Sequence, residues 1–81
     1  METKTVEQLI EAGIPGCEAQ VTGSGCDFEA TVISGDFTGK SLLQKQRLVM
    51  AAVKEQIATG ELHALSIKTF TPDEWAARAQ G

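Results

Sequence analysis

Glu61-Leu-His-Ala-Leu-Ser-Ile-Lys-Thr-Phe-Thr-Pro-Asp-Glu-Trp75 is the stretch that decides the fold. Leu65, Ile67 and Thr69 alternate with Ser66 and Lys68, the period of a half-buried strand. Thr71 at the N-cap, Pro72 at the first helical position and Glu74 three residues after the cap form a capping box, with proline where its missing N–H costs nothing. A strand must therefore turn into a helix at Thr71. At its other end it opens on His63, the only histidine of the chain, beside a chain reversal.

Working back from this strand, Leu42, Leu43, Val49, Met50, Val53 and Ile57 recur at helical spacings and predict one long helix from about Ser41 to Thr59, ended by Gly60. Gly35-Asp-Phe-Thr-Gly39 separates it from a strand in which Phe28, Ala30 and Val32 alternate with Glu29, Thr31 and Ile33. Cys17, Ala19 and Val21 alternate with Glu18, Gln20 and Thr22 in an earlier strand. Thr22-Gly-Ser-Gly25 is the turn between them, so residues 17–33 form a hairpin. Val6, Leu9, Ile10 and Ala12 give an opening helix that Gly13 and Pro15 end. Trp75 to Arg78 lie in a short final helix.

The order is α-β-β-α-β-α, an α+β arrangement of one three-stranded mixed sheet with helices packed on one face. The second strand, long helix and third strand form a βαβ unit, whose crossover makes the two strands parallel. Parallel strands begin at the same end. Cys26, just before the second strand, and His63, at the start of the third, are thus expected on one rim. Cys17 keeps the phase of Ala19 and Val21 and reads as a small buried hydrophobe.

The 81 residues make a single domain, 1–81, with room for one modest core. A formal charge of −4 argues against wholesale binding to nucleic acid or anionic membrane. Yet Lys40, Lys45, Arg47 and Lys54 fall in one stretch without an acid, which suits either a solvated helix face or a docking surface for an acidic partner or for phosphates. No apolar run is long enough for a membrane span, and Met1-Glu-Thr-Lys-Thr5 lacks the basic and apolar regions of a signal peptide, so the expected address is cytoplasmic. There the two cysteines should stay thiols.

A thiolate and an imidazole on one rim suit nucleophilic catalysis or metal binding. No Asn or Asp is placed to orient the histidine, and with Cys17 included the chain offers only three soft ligands, one short of a structural zinc site. A [2Fe–2S] cluster also takes four ligands, drawn from thiolates and imidazoles. If Cys26 and His63 hold one, the remaining ligands come from another molecule. The arrangement of elements resembles a KH domain, but the G-x-x-G loop that clamps nucleic acid is missing, since Gly35 and Gly39 have the wrong spacing and enclose an acid.

F-E-A-T-V-I-S-G-D-F-T-G-K-S-L-L-Q-K-Q-R-L-V, Phe28 to Val49, together with L-H-A-L-S-I-K-T-F-T-P-D-E-W, Leu62 to Trp75, strongly resembles the BolA family, in particular its short bacterial branch. The resemblance covers nearly the whole chain. It implies a class II KH-like fold and a non-enzymatic partner of monothiol glutaredoxins of the CGFS type, sharing with them a glutathione-dependent [2Fe–2S] cluster, with no cofactor in the isolated chain. In that family the glutaredoxin gives a cysteine, glutathione a thiolate, and the BolA-like protein a histidine that His63 matches. A second ligand in many members is a Cys or His of the hairpin loop, where Cys26 lies. Because an imidazole ligates only when neutral, sharing should weaken in acid.

Where many members carry Arg-His this chain has Lys45-Gln46, so no role of that histidine transfers. Some relatives are described as DNA-binding regulators, for which Lys40, Lys45, Arg47 and Lys54 would be the contacts. The same basic face and the Thr71–Trp75 segment are the expected docking surface for a protein partner. The free protein is expected to be a monomer or weak homodimer.

Overall fold

A computed structural model describes residues 2–24 and 27–80. Along the chain, α1 (Thr3–Gly13), β1 (Glu18–Ser24), β2 (Asp27–Ile33), a 3-10 turn (Gly35–Phe37), α2 (Leu42–Ala52), α3 (Lys54–Thr59), β3 (Ala64–Phe70) and α4 (Pro72–Gln80) follow one another. The sheet order is β1-β2-β3, with β1 antiparallel and β3 parallel to β2. The mixed sheet expected from the hairpin and the crossover is therefore present.

Register puts Val21 opposite Ala30 and Ala30 opposite Ile67, so the alternating apolar residues of all three strands share a face. Val6 and Ile10 of α1, with Val49 of α2, pack against Ala19, Val21, Phe28, Ala30 and Val32 on that face. Phe37, from the 3-10 turn, and Leu62, from the link into β3, are fully buried in the same cluster. Burying each such side chain favours the fold by about 1.5–3 kcal/mol. The turn is pinned by the Ser34 hydroxyl, which accepts from the Asp36 N–H at 3.1 Å, so Phe37 is aimed inward.

The helix that periodicity runs from Ser41 to Thr59 is divided. Val53 has φ −117° and ψ 17°, outside the helical region, and separates α2 from α3. It is fully buried, as is Val49, while Ile57 is half-buried, so the apolar line stays on the core across the break. Leu42, Leu43 and Met50, expected on the core face, are instead exposed, Leu42 to 64% and Leu43 to 56%. Successive residues on a helix point about 100° apart, so Leu43 projects away from the line of Val49 and Val53, whereas Leu42 shares that line but stands at the first position of α2.

One further contact finishes the sheet. A Glu7 carboxylate oxygen on α1 accepts from the Val21 N–H at 2.9 Å, satisfying a donor on the outer edge of β1 that would otherwise be open to another strand.

Candidate functional site

Gly60 ends α3 with φ 83°, a left-handed conformation that glycine adopts without Cβ strain. Two residues later Leu62 is fully buried, and its N–H donates to the Gln56 carbonyl at 3.1 Å. His63 follows directly and is exposed. An anchored, buried leucine thus precedes an imidazole that faces solvent. A Cβ on Gly60 would stand 3.6 Å from His63 Nε2, ordinary contact distance, so the end of α3 lies beside that nitrogen.

Asp27 is paired with Ala64 across the parallel β2–β3 ladder. These are the residues that follow Cys26 and His63, so the chain enters both strands at one end of the sheet, as the crossover argument requires. Cys26 itself lies outside the described residues. Among the described residues no group of three or more His, Cys, Asp or Glu side chains could hold a metal ion. The donor set fits a [2Fe–2S] cluster only as part of one: His63 can give an imidazole, Cys26 is the other candidate, and four ligands are needed.

Cys17 is half-buried against the core, and its thiol donates to the Ile10 carbonyl at 3.8 Å. Burial first, then the Glu11 charge, pushes this thiol above its ordinary pKa, the opposite of what a metal-binding or nucleophilic cysteine needs.

Two of the four cations of the basic stretch share one hollow. Lys40 and Arg47 line an open hollow of about 320 Å³ on α2, with Gln44, Leu48 and Ala51 completing it. Lys40 Nζ donates to the Asp36 carbonyl, which ties it to the 3-10 turn. Lys45 lies near α4, where its charge helps lower the Glu74 pKa. Lys54 opens α3. The hollow itself was invisible to a reading that grouped residues by charge; the signal was the line Gln44, Leu48, Ala51 at spacings of four and three, beside the line Leu43, Arg47, Met50.

The Thr71–Trp75 segment is engaged within the chain. The Thr71 N–H donates to Glu74 Oε1 at 2.8 Å and the Glu74 N–H to Thr71 Oγ1 at 3.2 Å, the capping box expected from the sequence. Trp75 packs against Phe70 with ring centroids 5.3 Å apart, and the Arg78 guanidinium lies 5.2 Å from the Phe70 ring and 5.7 Å from that of Trp75. These contacts fold α4 back on the end of β3.

A three-stranded mixed sheet with helices α1 and α2 packed on it, and an exposed imidazole just before β3, defines a small α+β domain. The chain belongs to the BolA family: the family model described as BolA-like protein matches residues 11–74. It is 34% identical over 76 residues to the acid stress protein IbaG of Escherichia coli, covering 94% of this chain and 90% of that one. A BolA homologue from Coxiella burnetii superposes with a TM-score of 0.84 at 36% identity, covering 94% of this chain and 97% of the other. Yeast Fra2 superposes with a TM-score of 0.74 at 38% identity, covering 93% and 84%. Among the described residues no helix is long and apolar enough to cross a membrane.

Proposed function

We propose that this protein is a non-enzymatic adaptor that pairs with a monothiol glutaredoxin and contributes His63 to a [2Fe–2S] cluster shared with that partner and with glutathione. The observation that carries the reading is the exposed His63, held by buried Leu62 at the rim where β2 and β3 begin, in a BolA-family chain whose described residues form no metal site of their own. A cluster with an open coordination position would find an imidazole there. Cys26 is the candidate for a second position as thiolate. Membership in a family that includes a protein named for acid stress suits a role in stress-linked iron–sulfur or iron homeostasis in the cytoplasm.

The test is visible absorption and circular dichroism of the protein mixed with cluster-loaded monothiol glutaredoxin and glutathione, wild type beside His63→Ala and Cys26→Ser. A spectrum distinct from that of the glutaredoxin alone, lost or altered in His63→Ala, is the expected result. His63 is exposed, so the substitution should change unfolding free energy by no more than about 0.5 kcal/mol and the loss would be one of ligation. An unchanged spectrum in His63→Ala would remove the central claim. Loss in Cys26→Ser as well would give the chain two ligands. The rival reading, a DNA-binding regulator using Lys40, Lys45, Arg47 and Lys54, expects steep salt dependence and indifference to His63→Ala.

A further inference from the structure

We propose that the outward side of α2 is a docking surface for an acidic, amphipathic helical segment of a partner protein, separate from the His63 rim. α2 begins after β2 has ended, whereas His63 opens β3 at the end where β2 begins, so the start of α2 and the imidazole lie toward opposite ends of the sheet. The surface carries its own chemistry.

Leu43, Arg47 and Met50 lie on one line of α2 at spacings of four and three, and Gln44, Leu48 and Ala51 form the next line. Leu43 is 56% exposed and Met50 38%, while Ala51 is also exposed. Apolar side chains grouped on the solvent side of a helix mark a surface suited to a partner. The hollow of about 320 Å³ follows the second line, with Gln44, Leu48 and Ala51 in its lining and Lys40 and Arg47 among its walls, so that of the first line only Arg47 borders it. Such a space takes one large aliphatic or aromatic side chain and leaves its neighbours beside two cations.

Charge selects the occupant. From Lys40 to Lys54 the chain has four cations and no acid, whereas the remainder has three cations against 11 acids. The partner is therefore acidic. Two properties favour protein over nucleic acid. A duplex offers thymine methyls as its main apolar groups at the major-groove edge, which leaves exposed Leu43 and Met50 largely unmatched. Protein interfaces, by contrast, concentrate Met and Arg at their centres. An amphipathic helix laid on α2, with apolar anchors at turn spacing and glutamates or aspartates flanking them, matches both the apolar line and the cations.

The probe is a synthetic helical peptide with one leucine stripe flanked by glutamates, titrated into the full chain while amide shifts are followed by NMR. The comparison ligands are the same peptide with lysines for the glutamates, and a duplex DNA oligonucleotide. Shifts confined to residues 40–54, with affinity falling about tenfold in Arg47→Glu and again in the Leu43→Ser/Met50→Ser double variant, are expected. Both variants change exposed side chains, and dispersion of the free spectra confirms that each remains folded. His63→Ala should bind the peptide as wild type does, which separates failure here from failure of the cluster reading. Tighter binding to DNA than to the acidic peptide, with no loss in Leu43→Ser/Met50→Ser, would overturn the proposal in favour of nucleic acid. So would equal affinity for the lysine peptide, or concentration-dependent shifts in the free protein that map to α2 and signal self-association.

Discussion

The Cys17 thiol has a hydrogen-bond acceptor in the Ile10 carbonyl and a charge, Glu11, that opposes ionisation. Burial adds to that opposition, so the thiol ionises above its ordinary value of 9.0. For an acid whose folded pKa is raised, the neutral form is the one the fold favours. The stability it contributes is therefore complete below pH 9 and is lost as pH rises through the folded value. In a Cys26→Ser background, Cys17 should react with an alkylating reagent at pH 8 more slowly than the same cysteine in the urea-unfolded chain. Equal rates would show that the thiol is not shielded. The phase of Cys17 with Ala19 and Val21 already marked it as a core neighbour rather than a ligand. The exposure of His63 was harder to read, because it depends on Leu62 taking the buried position beside it, and Leu62 lies outside the alternation of β3.

At the scale of elements, caps and strands were legible because their signals are local. Thr71 and Glu74 make the reciprocal bonds that their spacing requires, and β3 keeps its two-residue period against β2. The break at Val53 was not legible: no glycine or proline marks it, and Val49 and Val53, four residues apart, would share a face in a continuous helix as well. The α4 cap also gives a measurable pH dependence. The Thr71 backbone N–H, then its side chain, stabilise the Glu74 carboxylate and lower its pKa from 4.5, with a smaller contribution from the Lys45 charge. A depressed acid contributes stability above its unfolded pKa and loses it as pH falls through the folded one. Trp75, the only tryptophan, reports on this end of the molecule. Its fluorescence should show α4 loosening only below pH 4.5, and Glu74→Gln, which keeps the hydrogen bonds without the charge, should flatten that part of the titration. Thr71→Ala should lower unfolding free energy by roughly 0.5–2 kcal/mol at neutral pH. An acid profile identical in wild type and Glu74→Gln would rule out the carboxylate as its source.

Across the whole molecule, the helical layer closes where α1 ends against the end of α2. The helix ends at Gly13, as the sequence reading expects, but Gly13 does not have positive φ. Its function is space: a Cβ on Gly13 would stand 2.6 Å from the Ala52 Cβ and 3.1 Å from the Ala52 Cα, closer than any packed pair tolerates. Neither residue announces this in the sequence, because the contact joins positions that only the tertiary fold brings together. Gly13→Ala should therefore push the two helices apart and cost about 1–3 kcal/mol by overpacking, less whatever fraction of the helix-propensity gain of about 1 kcal/mol survives at a helix end. Ala52→Gly alone should cost up to about 1 kcal/mol through the flexibility that glycine adds to α2. If close approach is the reason for Gly13, the two costs cannot add, since removing the Ala52 methyl vacates the space that the new methyl needs. The double variant Gly13→Ala/Ala52→Gly, measured by urea unfolding with both single variants, should recover at least about 1 kcal/mol relative to the sum. Additive losses would mean that α1 and α2 have slack between them. In that case the position of α2, and with it the orientation of its outward Leu43–Arg47–Met50 line, would be set by Val49 and Val53 on the sheet rather than by contact with α1.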